Sequence, residues 1–475
     1  MDEVPTLLVL QNAMMLAVLF FEVSNGHSDP VVPILLALVF LTLGAAIGGR
    51  LMTSIRQPAV LGELLIGLLA GNLGFLFGNA GLTVLREGDN LRKISDIALT
   101  TSTSLANAVT QVLHGSEAER VAAALASAHG VDFISIYTFV DLLSRIAILI
   151  LLFLVGLETS LAEMKRIGKT AFIVAVIGIV VPMALGLASM KVLHPDSMLA
   201  SDLFVGGVLT ATSVGITARV LRDFGQENRD EARVILGAAV IDDVLSLIVL
   251  AVVSGLAVTG SVGVLEIGRI TLVAAVFLTG SLGIGVWLTP KLVRRLSGAG
   301  IHNLKLLFGL GFAFLLAWFA NFTGLATIVG AFAAGMILND FFDNELEGES
   351  LRKLLSPLES LVVPLFFVWM GIQVKLEAMA SRDVLISGLV LTVVAILGKL
   401  VSGLGCPPYM NRWAVGIGMM PRGEVGLIFA GIGKGIGVID DGLFSAIVIL
   451  VMITTLLAPI FLRMTLGQNT RVALQ

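Results

Sequence analysis

Apolar runs of about 20 residues, each long enough to cross roughly 30 Å of hydrocarbon as a helix, recur along almost the whole chain. Such runs allow few folds, because in lipid the backbone must satisfy its own hydrogen bonds, and a helix does so within one segment. We expect an all-α, polytopic membrane protein with about thirteen spans, near 31–50, 58–78, 134–156, 170–193, 202–222, 231–257, 264–294, 304–321, 324–340, 357–374, 384–405, 411–434 and 441–466. A further apolar stretch, 5–23, lacks the basic start and small-residue cleavage site of a signal peptide, so it is expected to stay on the chain and would make a fourteenth. Composition points the same way: hydrophobic residues make up 57% and charged residues 13%, and the mean hydropathy is +0.99. So little polar surface cannot cover a water-facing exterior.

Several functions drop out early. A net charge of −4 with no long basic run argues against nucleic acid. The single cysteine, Cys406, excludes an internal disulfide framework and a cysteine metal site, and none of the five histidines lies deep in an apolar run. Carboxylate and lysine chemistry remain for work inside the membrane, and no cofactor is expected.

Basic residues set the orientation. They gather after alternate spans, at Arg50 and Arg56, at Lys165, Arg166 and Lys169, at Arg222, Arg229 and Arg233, at Lys291 to Lys305, at Arg352 and Lys353, at Arg412 and at Arg463. That side is assigned to the cytoplasm. The bacterial inner membrane is the default location, with an internal, thylakoid-type energy-coupling membrane the other candidate. One connection on the opposite side, 79–133, is far longer than a turn. Its Ser116-Glu117-Ala118-Glu119 is a capping pattern, so one short surface helix is expected there, within an extracytoplasmic cap.

Ionisable residues inside apolar spans are costly and need a reason to be there. Asp242 and Asp243 sit mid-span; as helix neighbours they point about 100° apart, so one can meet an adjacent helix while the other looks into a cavity. Lys399 lies near the end of its span, where it could snorkel to the interface or pair with a buried carboxylate. Pro421, Arg422, Gly423 and Glu424 interrupt another span, as a broken helix would. The run from Thr210 to Arg219, with Thr212 and Ser213, replaces the usual Leu and Val with small and hydroxyl residues. Counting 31–50 as the first span and 264–294 as a linker, each interrupted element is fifth in its own set of six, and the sets are inverted. Paired broken helices in inverted repeats place a substrate site near the midplane.

The runs Leu236 to Asp243, Ala211 to Val220 and Pro421 to Leu427, with Phe153 to Thr159, Ile396 to Lys399, and Gln57-Pro58 followed by Leu61 to Glu63, resemble a known family. It is the electrogenic monovalent cation:proton antiporters, and within them the NapA-type bacterial Na⁺/H⁺ antiporters. The resemblance covers about residues 31 to 466. It implies a mobile core beside a dimer-forming scaffold, with Asp243 carrying Na⁺ or Li⁺, Asp242 paired with Lys399, and Thr212 and Ser213 at the helix crossing. Arg422 and Glu424 take a structural and pH-response role. The implied domains are an N-terminal segment 1–30, scaffold 31–156, core 157–257, linker 258–303, scaffold 304–380 and core 381–475. The Leu-, Phe- and Gly-rich spans near 31–78 and 304–340 are expected to form a homodimer in membrane lipid.

A buried carboxylate that holds either a proton or a dehydrated cation, never neither, exchanges one for the other without covalent chemistry. A K⁺/H⁺ exchanger of the same fold is the nearest alternative. An intramembrane aspartyl protease needs two carboxyls facing one water, which adjacent helical positions do not provide, so no enzyme is expected.

Overall fold

A computed structural model describes residues 31–466 apart from 56, 102–103, 114, 159–167, 224–225, 227–228, 346–348 and most of 260–303. The stretch 5–23 and the expected linker span 264–294 lie largely or wholly outside the described residues. Within them every regular element is helical. In chain order these are α1 (Val31–Ser54), α2 (Ala59–Leu76), α3 (Ala80–Arg86), α4 (Asp89–Thr101), α5 (Leu105–Val112), α6 (Gly115–Ala126), α7 (Gly130–Glu158), α8 (Lys169–Leu193), α9 (Leu199–Thr210) and α10 (Val214–Asp223). There follow α11 (Asp230–Thr259), α12 (Leu304–Phe322), α13 (Thr327–Glu345), α14 (Leu351–Ile372), the one-turn α15 (Leu376–Met379), α16 (Arg382–Ser402), α17 (Arg412–Gly418), α18 (Glu424–Gly435) and α19 (Asp441–Leu466). Nine of the described helices are long and apolar enough to cross a membrane; this is a multi-pass membrane protein.

The connection 79–133 departs from the single surface helix expected. It contains four helices, α3 to α6. Asn79 starts α3 by accepting from the Leu82 amide, and Ser104 starts α5 by accepting from the Asn107 amide. These side chains satisfy backbone donors that a helix start otherwise leaves open. The helices are short and carry polar faces, so they raise no long apolar signal.

The described residues divide into two compact units, one within 31–147 with 360–377 and one within 148–359 with 378–466. In the first, α2 and the end of α14 meet backbone to backbone. A Cβ at Gly67 would stand 2.1 Å from the Val368 carbonyl oxygen, and one at Gly371 would stand 2.2 Å from that of Leu64. Asn72 fastens the same contact: its Nδ2 donates to the carbonyls of Leu68 and Val374, each at 2.7 Å, and its Oδ1 accepts from the Leu376 amide at 2.9 Å. In the second unit Gly156 and Gly335 play the equivalent part, each 2.2 Å, by the same measure, from the other helix's carbonyl at Phe332 and Phe153. Lipid gives apolar side chains little reason to leave it, so close backbone approach through small residues supplies the packing.

Gly67→Ala should therefore push α2 and α14 apart, at a cost of about 1–3 kcal/mol, and lower the unfolding temperature in detergent. Gly311→Ala on α12 meets nothing within 4 Å and should be neutral or slightly stabilising. Equal melting of the two variants would show that the contact is not tight.

Candidate functional site

Two interruptions in the second unit set the site's frame. The first separates α9 from α10: Ala211 is extended (φ −60°, ψ 137°), and the helix resumes at Val214. The second separates α17 from α18. There Pro421 lacks an amide hydrogen and biases Met420 away from helix, and Gly423 (φ −129°, ψ −132°) precedes the resumption at Glu424.

Each break satisfies the other. The Ser213 amide donates to the Pro421 carbonyl at 2.9 Å, Thr212 Oγ1 donates to Met419 O at 3.2 Å, and Thr217 Oγ1 donates to Gly418 O at 2.8 Å. Arg422, fully buried, donates through Nη2 to Leu209 O and through Nη1 to Met419 O. A guanidinium at the negative end of α9 is favoured by the helix dipole as well as by hydrogen bonding. Thr455 on α19 donates to Arg422 O from the other side. Gly423 must be glycine here, because a Cβ would stand 2.7 Å from Ser213 Oγ.

Against this crossing lies α11 with the two carboxylates. Asp242 has no exposed surface and accepts from Lys399 Nζ through Oδ1 at 3.0 Å; Lys399 is equally buried. The ammonium does not snorkel, although it stands in the last turn of α16. Room for it comes from Gly178 on α8, where a Cβ would approach Nζ to 3.3 Å. Oδ2 of Asp242 is buried and has no hydrogen bond among the described residues. Asp243, one residue on, is also buried and acts on Lys399 electrostatically. The different surroundings of the two carboxylates follow from the 100° step between helix neighbours.

Of the residues singled out from the sequence, Asp242, Asp243, Lys399, Thr212, Ser213 and Arg422 thus come together in one unit. The main chain of Glu424 opens α18, while its side chain lies outside the described residues. Sequence reasoning expected freed carbonyls at the breaks without assigning them to Gly418, Met419 and Leu209, and it missed Ser246, whose hydroxyl lies 3.4 Å from that of Thr210. It also missed Asp202, fully buried and 2.8 Å from Lys191, because it reads as an ordinary start-of-span acid. A cavity of about 640 Å³ in the same unit is lined by His194, Asp196, Asp383, Ser387 and Asp440 among others, and by none of the six grouped residues.

The chain as a whole is similar to known proteins. The family described as sodium/hydrogen exchanger, transmembrane, matches residues 34–468. The high-affinity Na⁺/H⁺ antiporter NhaS3 of Synechocystis is 36% identical over 90% of this chain and 89% of its own. The Na⁺/H⁺-K⁺ antiporter GerN of Bacillus cereus is 33% identical over 69% of this chain and 84% of its own. Among solved structures, the sodium proton antiporter MjNhaP1 of Methanocaldococcus jannaschii superposes with a TM-score of 0.60, covering 92% of this chain and 97% of that one at 15% identity, which establishes likeness of fold.

Removing one member of the buried pair strands the other. Lys399→Gln should destabilise the protein by about 3–5 kcal/mol, and the double variant with Asp242→Asn should recover a large part of that loss. Calorimetric unfolding of the two single variants and the double variant measures the coupling; additive losses would mean that the pair does not exist in the membrane.

Proposed function

The chain belongs to the sodium/hydrogen exchanger family, a family of transporters and not of enzymes, and from that premise we propose that it exchanges Na⁺ for protons by alternating access, with Asp243 as the carrier carboxylate. The observation that carries the reading is the fully buried Asp242–Lys399 pair beside two mutually bonded helix breaks. A soluble-type fold partner is not what such a pair serves; it is a neutral resting state for charges that lipid cannot tolerate singly.

The chemistry runs on occupancy. Oxygen donors suit a hard monovalent cation, and the crossing supplies carboxylate, hydroxyl and carbonyl oxygens within one unit. Cation arrival at Asp243 displaces its proton and draws on Asp242, which Lys399 and Thr212 hold beside the site. Lys399, losing its partner, gives up its own proton. Two protons then leave for each cation, and one net charge moves per cycle. With neither proton nor cation bound, the bare carboxylate would cross at prohibitive cost, which makes the exchange obligatory.

Selectivity is the open choice between Na⁺, Li⁺ and K⁺. The similarity to an antiporter named for K⁺ as well as Na⁺ gives K⁺/H⁺ exchange specific support as a second reading. Dequenching of a pH dye in proteoliposomes, with each cation offered separately, decides between them: Na⁺ and Li⁺ should elicit proton movement at far lower concentrations than K⁺.

Asp243→Asn keeps the shape and loses the titratable charge, so it should abolish exchange. Thr212→Ala should instead weaken apparent cation affinity and leave the protein folded. Current on a solid-supported membrane after a Na⁺ jump tests the charge scheme: wild type should give a transient that Lys399→Gln loses. A silent but transporting wild type would mean electroneutral exchange.

A further inference from the structure

The connection 79–133 holds a charged cluster that the exchange chemistry does not use, and it grips a short stretch of chain. Residues 373–377 follow α14 and end where the first unit gives way to the second. Nearly every polar feature of that stretch is held. Asn72 bonds the Val374 carbonyl and the Leu376 amide. Lys375 Nζ lies 3.0 Å from Glu87 Oε2 and 2.8 Å from Glu117 Oε1. Arg86 pairs with Glu377, and the Gln373 side chain lies across Gly88, whose positive φ of 52° turns the chain after α3. Three of these gripping groups, Arg86, Glu87 and Glu117, come from the inserted helices.

The grip is largely buried and mixes charges of both signs. Glu87 and Lys375 are almost fully buried, and Glu117 is mostly so. Arg86 has no exposed surface; its guanidinium stacks on the Phe75 ring at 4.3 Å, with Arg120 over the same ring at 4.6 Å. Around Glu87 the charged neighbours are Lys375 from the segment after α14, Glu117 from α6, and Arg86, the residue before it at the end of α3, while Asn90 of α4 donates to it at 3.2 Å. One ammonium is shared between two carboxylates.

We propose that the Glu87–Lys375–Glu117 cluster is a proton-operated clamp on residues 373–377, through which pH on the extracytoplasmic face sets the exchanger's turnover. This rests on the exchange reading for its link to turnover, but the clamp itself does not. With Glu87 protonated, its hydroxyl can donate to Glu117 while Lys375 bridges both, and the stretch is held. With Glu87 ionised, two buried carboxylates repel and compete for one ammonium, and the hold weakens.

The electrostatics put the change in a useful range. Glu87 lies outside the membrane-spanning helices, and burial, aided by Glu117, raises it from 4.5 to about 7 against the opposing pull of Lys375. Its neighbour Glu377 goes the other way: burial alone would raise it, but the Arg86 hydrogen bond holds it below the usual range, so it stays ionised throughout. A group raised on folding contributes stability that is complete below 4.5 and is lost as pH rises through about 7. The clamp is thus tight in acid and loose in alkali. A tight clamp slows the passage of protons inward when the outside is acidic.

The test has two arms on the full-length protein. Hydrogen exchange at 373–379, followed from pH 5.5 to 8.5, should show protection that falls through an inflection near 7 in wild type. In Glu87→Gln, an analogue of the protonated form, protection should stay high across the range. Glu117→Gln removes the competing charge and should move the wild-type inflection down by about one pH unit; it also serves if Glu87→Gln does not fold. In proteoliposomes, exchange of radiolabelled Na⁺ for Na⁺, with the cytoplasmic-side pH fixed, should lose its step near outer pH 7 in Glu87→Gln. Protection that is independent of pH in wild type, or an unchanged inflection in Glu117→Gln, overturns the clamp. A wild-type turnover step that persists in Glu87→Gln overturns the link to transport. A switch in protection with no Na⁺ exchange at all in wild type would instead sink the exchange reading.

Discussion

Two opposite charges with no exposed surface, 3.0 Å apart between α11 and α16, impose conditions on everything around them. Each ion alone in lipid costs several kcal/mol, and together they are tolerable only while the geometry is good. That geometry depends on α8, α11 and α16 meeting closely, which Gly178 permits. It also depends on the crossed helix breaks staying put beside them, since Arg422 brings a third buried charge to the same neighbourhood. The breaks hold because each fills the other's vacated hydrogen bonds, Ser213 to Pro421 and Thr217 to Gly418. A polar crossing of this kind is viable only where the freed backbone is enclosed by protein.

The same constraint explains where stability comes from. With no water to flee, apolar side chains distinguish poorly between lipid and protein. Contacts such as Gly67 on Val368 and Gly156 on Phe332 replace side-chain burial with backbone approach. Buried polar fasteners such as Asn72, making three hydrogen bonds, then fix which helices meet. The molecule is held by many small contacts and a few polar anchors.

Much of this was legible because charges, prolines and glycines stand out against apolar runs. Asp242, Asp243 and Lys399 were conspicuous, as were Pro421 to Glu424, and the low-hydropathy run around Thr212 was readable beside them. Pairing at a distance was read once, for Asp242 with Lys399 through the resemblance, and not elsewhere. Nothing local in Lys375 announces a partner 288 residues away at Glu87, and nothing local in Lys191 announces its pair with Asp202. Glu63, buried in α2, sits in a motif that resembled a family and was not weighed as a membrane charge. The inserted helices were underestimated because their starts depend on single side chains, Asn79 and Ser104, and their apolar faces are short. A stretch that looked like a plain cap proved to contain buried ions.

The buried pair also has a history within each molecule, because its halves are made at different times. Asp242 precedes Lys399 by 157 residues. At ribosomal speeds that interval lasts roughly 8 to 30 s. Throughout it α11 carries two carboxylates whose ammonium does not yet exist, next to a bilayer that disfavours them as charges. The nascent helix must wait protonated, or beside the insertion machinery and its water, until α16 emerges. Synthesis order therefore makes the last quarter of the chain a licence for the middle to enter lipid. A ribosome that stops before Lys399 leaves behind a membrane segment whose buried carboxylate lacks its partner.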